Sequence, residues 1–137
     1  MREQPFWVSC SSSAIRRLPF GRYQLANALA RFAGPPFRAQ LPGDLGRLSF
    51  VCDLRDTIAR EVCFTGRYEP QETQLAQALL GPGMVVVDAG ANWGYFTLVC
   101  AHLVTGRGRV IALEPHPRLA AMLASNVLQK PGSYSAS

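Results

Sequence analysis

Three observations predict an α/β fold. Two short aliphatic runs, 84–87 and 110–113, are continuous where half-exposed strands would alternate, which marks strands buried on both faces. Each run passes through a turn into a segment with helical periodicity. The resulting order of strand, helix, strand and helix is that of a βαβα unit with parallel strands and a right-handed crossover. A length of 137 residues allows one domain with little room for a second. Hydrophobic residues at 48% and charged residues at 17% exclude a disordered or collagen-like chain. No apolar run approaches the ~20 residues that cross a bilayer. Ser9 to Ser13 interrupt the apolar core that a secretory signal requires.

Taken in order, residues 1–13 read as a frayed, serine-rich terminus. A helix follows from about Gly21, with Leu25, Leu29 and Phe32 at i, i+4 and i+7 as its inward face, and ends at Gly34-Pro35-Pro36. Phe37, Ala39 and Leu41 alternate, Pro42-Gly43-Asp44 breaks the run, and Leu48, Phe50, Cys52 and Leu54 alternate again. That is a β-hairpin. Asp56 caps a short helix carrying Ile58 and Val62. Pro70 suits the first position of the next helix, Glu72 its first turn, and Leu75 and Leu79 its buried face, before Gly81-Pro82-Gly83 stops it. The first strand of the βαβα unit comes next. Its helix carries Phe96, Val99, Cys100 and Leu103, and Gly106-Arg107-Gly108 leads to the second strand. The last helix runs from Pro117 to Leu128 with Leu119, Met122, Leu123 and Val127 inward. The expected divisions are a basic lead-in at 1–47, an α/β region at 48–128 and a polar tail at 129–137.

Charge is unevenly placed. Residues 1–47 carry seven arginines against Glu3 and Asp44, while the remainder is balanced, so the whole net charge of +5 lies in the first third. Two readings stand: an electrostatic surface for nucleic acid or anionic lipid, or arginines that solvate a small subdomain. Cysteines at 10, 52, 63 and 100 have no CxxC and no nearby His pair, which argues against a zinc site. Their apolar contexts predict buried free thiols in a reducing, cytoplasmic setting.

The informative stretch is Val87-Asp88-Ala89-Gly90-Ala91-Asn92-Trp93-Gly94-Tyr95. An acid ends the first strand, Gly90 permits a tight turn, and Gly94 lets the helix start close to the sheet with its amides facing the crevice. Such crevices, outside the carboxyl ends of parallel strands, are where these sheets bind ligands. Glu114 ends the second strand, where a carboxylate accepts ribose hydroxyls. Asp88 would repel a phosphate but suits a cation. The pair therefore points to a nucleoside bearing an ammonium or sulfonium group, not to NAD. Neither G-x-G-x-x-G nor G-K-[ST] is present, so a P-loop is excluded.

Asp88-Ala89-Gly90-Ala91-Asn92-Trp93-Gly94-Tyr95-Phe96-Thr97, followed by Arg109-Val110-Ile111-Ala112-Leu113-Glu114-Pro115-His116-Pro117, resembles the FkbM-type family of S-adenosylmethionine-dependent methyltransferases. Gly66-Arg67-Tyr68-Glu69-Pro70 and Asn126 fit the same pattern, so the resemblance covers roughly residues 48–128. It implies the first βαβα unit of a Rossmann-like class I methyltransferase fold, preceded by a helix and a hairpin, with the sheet incomplete. The implied cofactor is S-adenosyl-L-methionine and the implied activity O-methyl transfer to a small-molecule or carbohydrate-like hydroxyl.

By this resemblance Asp88, Gly90 and Asn92 line the methionine and ribose side, Gly94 opens the helix, Glu114 holds the ribose and His116 edges the adenine. Tyr68 and Glu69 either cover the methionine end or serve as a helix start, and Trp93 and Tyr95 either wall the pocket or pack in the core. The chain reads as the leading part of such an enzyme, ending before the acceptor half. No catalytic residue is assigned, and cofactor binding by this chain alone is expected to be weak or absent. The alternatives are a non-catalytic nucleotide-binding or interaction module, with a partner chain covering the exposed sheet edges, and a basic-surface binder of nucleic acid or membrane.

Overall fold

The computed structural model describes residues 2–128 as a mixed α/β protein with six helices and two small sheets. The polar tail expected at 129–137 lies outside the described residues. The chain divides into two compact units between Tyr68 and Glu69. The division expected at 47/48 falls inside one hairpin of the first unit.

The first unit contains β1 (Arg2–Glu3), α1 (Phe6–Ile15), α2 (Arg22–Leu29), β2 (Phe37–Gln40), β3 (Ser49–Cys52) and α3 (Thr57–Thr65). A 3-10 turn at Ala30–Phe32 extends α2, and another at Gly43–Leu45 joins the hairpin strands. The alternation read from the sequence forms the hairpin. β2 and β3 run antiparallel with Phe37 opposite Cys52 and Gln40 opposite Ser49, and β1 adds parallel to β2. Phe37, Ala39, Leu41, Phe50, Cys52 and Leu54 are buried, as period-two patterning requires. Asp56 caps α3 by accepting the Ala59 N–H at 2.7 Å, and Gly66 ends the helix at φ 90°. Ala59, Val62, Cys63 and Phe64 of α3 are buried.

Two expectations for this unit are corrected. The serine-rich start is not frayed: it forms β1 and most of α1, because Val8, Ser12 and Ile15 recur at i, i+4 and i+7 and are buried. Ser12 enters that face at low cost because its hydroxyl donates to the Ser9 carbonyl at 3.1 Å. In α2 the buried residue is Ala26, whereas Leu25 and Phe32 are exposed. The small alanine lets α2 approach α3, and Arg60 Nε of α3 donates to Asn27 Oδ1 at 3.1 Å.

The second unit contains α4 (Pro70–Leu79), β4 (Val85–Ala89), α5 (Tyr95–Leu103), β5 (Arg109–Leu113) and α6 (Pro117–Val127). β4 and β5 pair in parallel from Val85 opposite Arg109 to Ala89 opposite Leu113, as the βαβα spacing predicts. α5 packs on both strands and against α4 and α6. Its residues Tyr95, Thr97, Leu98, Val99 and Cys100 are buried, together with Trp93 just before it.

The strands are not buried on both faces. Val86, Asp88, Val110 and Ala112 are half-buried, while Val85, Val87, Ile111 and Leu113 are 65%, 60%, 48% and 54% exposed. Alternation of side chains across a strand puts these four on the opposite face, so the continuous apolar run does not imply two covered faces here. Leu75 and Leu79 of α4 are likewise exposed. The fully buried residue of that helix is Thr73, whose hydroxyl lies 3.0 Å from the Tyr95 hydroxyl in a mutual hydrogen bond. That polar pairing orients α4 in place of the leucine stripe.

All four cysteines are free. Cys52, Cys63 and Cys100 are buried as expected, but Cys10 is exposed, because Val8, Ser12 and Ile15 form the inward face of α1. Among the described residues no helix is long and apolar enough to cross a membrane.

Candidate functional site

The site grows from the carboxyl ends of β4 and β5. After Ala89 the chain turns through Gly90 at φ 83°, and the N–H groups of Gly90 and Ala91 both donate to the Leu113 carbonyl, at 2.8 and 3.0 Å. The turn leaving β4 is thereby stitched to the end of β5. An ideal Cβ at Gly90 would meet no atom within 4 Å, so the backbone here borders open space.

Asn92 follows at φ 52°, a left-handed conformation that asparagine tolerates better than most side chains. Its Oδ1 accepts the Trp93 N–H at 2.7 Å. Gly94 opens α5 at φ 103°, and a Cβ there would stand 2.7 Å from Leu123 Cδ1 of α6. The backbone angle calls for glycine, and a side chain here would also displace the tip of Leu123. On α6, buried Asn126 donates from Nδ2 to the Trp93 carbonyl at 2.8 Å and ties that helix to the same turn.

Glu114 organises the crevice. One carboxylate oxygen, Oε2, accepts the Asn92 N–H at 2.8 Å, and the other, Oε1, accepts the His116 N–H at 2.8 Å. A single side chain at the tip of β5 thus fixes the turn after β4 and the entry to α6. A carboxylate accepts about four hydrogen bonds, so each oxygen keeps capacity for a ligand.

Asp88 is half-buried at the end of β4 and accepts a hydrogen bond from the Thr97 hydroxyl of α5 through Oδ2. Among the described residues Oδ1 accepts no hydrogen bond. Burial pushes the nearby Cys100 thiol up to about 11, and the negative charge of Asp88 adds to that effect.

Six of the predicted residues, Asp88, Gly90, Asn92, Gly94, Glu114 and His116, therefore belong to one strand-end region. His116 is exposed and stands as the N-cap residue of α6, held by its backbone. Glu69 is the N-cap residue of α4 at φ 42°, followed by Pro70 at the first helical position. Tyr68 is the last residue of the first unit. Trp93 and Tyr95 are buried and stack edge-on with centroids 6.1 Å apart, which places them in the core and not on a pocket wall.

Thr97 is the functional neighbour that sequence reading missed. Its one available signal was its place three residues after Gly94, in the first turn of the helix that faces Asp88. Among the described residues no group of three or more His, Cys, Asp or Glu side chains is placed to hold a metal ion. What the crevice offers is acceptor chemistry, two carboxylates suited to hydroxyls and to a cation. Comparison with family models, curated proteins and solved structures finds no match to this chain.

Proposed function

We propose that the second unit holds the cofactor of an S-adenosyl-L-methionine-dependent O-methyltransferase, with β4 and β5 as the opening strands of a Rossmann-like sheet. The observation that carries this reading is the two-sided grip of Glu114 on the Asn92 and His116 amides. It presents a carboxylate of set orientation at the strand end where a ribose is held in nucleotide-binding α/β sheets. The donor set fits the cofactor. Glu114 retains acceptor capacity for two ribose hydroxyls, and Asp88 Oδ1 remains for the positively charged amino-acid end. The open space over Gly90 admits the chain between them. When bound, the cofactor supplies an electrophilic methyl group on a sulfonium sulfur. The role of the protein on this side is to orient that group, since positioning carries much of the rate in methyl transfer. The acceptor is a hydroxyl of a small molecule, and none of the strand-end residues is assigned to it.

Calorimetric titration of the full chain with S-adenosyl-L-methionine, beside Glu114→Gln and Asp88→Ala, tests this. Weak one-to-one binding by the parent chain, lost in both variants, is the expected result. Absence of heat from the parent chain overturns cofactor binding as a property of this chain, and equal heat from all three overturns the roles of Glu114 and Asp88.

A further inference from the structure

Three of the seven arginines of the first third, Arg16, Arg17 and Arg38, line a cleft in the first unit. The cleft has a volume of about 680 Å³, within the range of small-molecule sites. α1 contributes Ser9 and Ser13, four residues apart on one side of the helix, and the turn that ends it contributes Arg16 and Arg17. The hairpin contributes Arg38 of β2 and Ser49 of β3. Gln40 lies opposite Ser49 and two residues from Arg38, so all three project from one face of the hairpin.

Three guanidinium groups therefore line one cavity with several hydroxyls. Glu3 is the one acid on its lining, and it forms no ion pair with any of the three arginines. Arg16 donates to the Cys63 carbonyl at 3.1 Å, and among the described residues Arg17 and Arg38 have no ion-pair partner. Elsewhere in the unit Arg55 is paired with Asp53, and Arg67 with Asp44. Arg17 and Arg38 thus bring to the cleft two guanidinium groups with no ion-pair partner among the described residues.

We propose that this cleft binds a phosphoryl group, with Arg17 and Arg38 as the charged contacts and the serine hydroxyls as neutral donors. Guanidinium suits such a group because its planar fork donates two parallel hydrogen bonds to two oxygens. The cavity takes a phosphate ester of nucleotide size, or the headgroup of an acidic phospholipid at its mouth. This site is separate from the methyltransferase reading and stands if that reading fails.

The test is titration of the full chain with pyrophosphate at low salt, beside the double variant Arg17→Gln/Arg38→Gln, the charge-retaining Arg17→Lys/Arg38→Lys, and Asp88→Ala. One-to-one binding is expected that weakens about tenfold or more in the glutamine variant and less in the lysine variant. Asp88→Ala is expected to bind as the parent does. Circular dichroism of each variant separates loss of binding from loss of fold. Vesicles of phosphatidylcholine with and without phosphatidic acid identify the source. Pyrophosphate-sensitive capture by the acidic vesicles assigns a lipid headgroup, and pyrophosphate binding without capture assigns a soluble ester. No heat from the parent chain, binding of several pyrophosphates per chain, or full binding by a folded glutamine variant overturns the proposal.

Discussion

The two units bury their apolar residues in different ways. In the first, the hairpin and three helices enclose Val8, Ile15, Leu45, Phe50, Leu54, Val62 and Phe64, all at 2% exposure or less. In the second, α5 and its neighbours cover one face of a two-stranded sheet and the other face stays open at Val85, Val87, Ile111 and Leu113. The strands of the first alternate in sequence, and those of the second are continuous apolar runs. The difference lies in coverage: an alternating hairpin needs one covered face, whereas a continuous apolar strand needs two. The strand-end site is consequently held by hydrogen bonds, with Glu114 and Asn126 linking turn to strand and helix to turn.

The largest test of this contrast compares Phe64→Ala with Val87→Ala. Truncating the buried Phe64 is expected to cost about 3–5 kcal/mol, because it removes burial and leaves a cavity. Truncating Val87 on the open face is expected to cost about 0.5 kcal/mol or less. Urea denaturation followed by tryptophan fluorescence reads both, since Trp7 packs near Phe64 with ring centroids 6.5 Å apart and Trp93 lies in the other unit. Equal losses would break the contrast.

A smaller effect is expected from Gly94→Ala. The substitution places a side chain at φ 103° and against Leu123, at a cost of about 1–3 kcal/mol. Because Gly94 precedes α5 beside the Asn92 turn, affinity for the proposed cofactor is expected to fall with stability. Calorimetry and denaturation on one preparation check that pairing.

The smallest effect is alkaline. Burial raises the Cys100 thiol from 9.0 to about 11, so the folded state keeps a proton that the unfolded state releases. Its stabilisation is complete below pH 9 and is lost as pH rises towards 11. Cys52 moves in the same direction, through its hydrogen bond with Cys63 and its burial. Stability measured from pH 8 to 11 is expected to decline, and Cys100→Ala is expected to decline less steeply. Parallel slopes for the two proteins would remove Cys100 as a cause.

Local signals predicted local structure well. The hairpin, the Asp56 cap, the Pro70 helix start, the parallel pair and the glycine turn after Asp88 each follow from a few neighbouring residues, because turn geometry, capping and strand alternation are short-range. The strand-end region was legible for the same reason: Asp88, Gly90, Asn92, Gly94 and Glu114 are all strand-end or turn residues.

Sequence reading failed on questions of facing, turning Leu25, Leu75 and Leu79 inward where all three are exposed. Whether Leu25 or Ala26 of α2 turns inward, and whether Leu75 or Thr73 of α4 does, depends on which partner surface meets the helix. The same holds for the serines of α1, which composition alone placed in a frayed end. The excess of arginine in the first third was a sum until the hairpin and α1 brought Arg16, Arg17 and Arg38 to one cleft. Sequence by itself determined the elements, their turns and the chemical types at the strand ends. Tertiary structure decided which faces are covered and which charges share a cavity, because burial and electrostatic neighbours are set by residues distant along the chain.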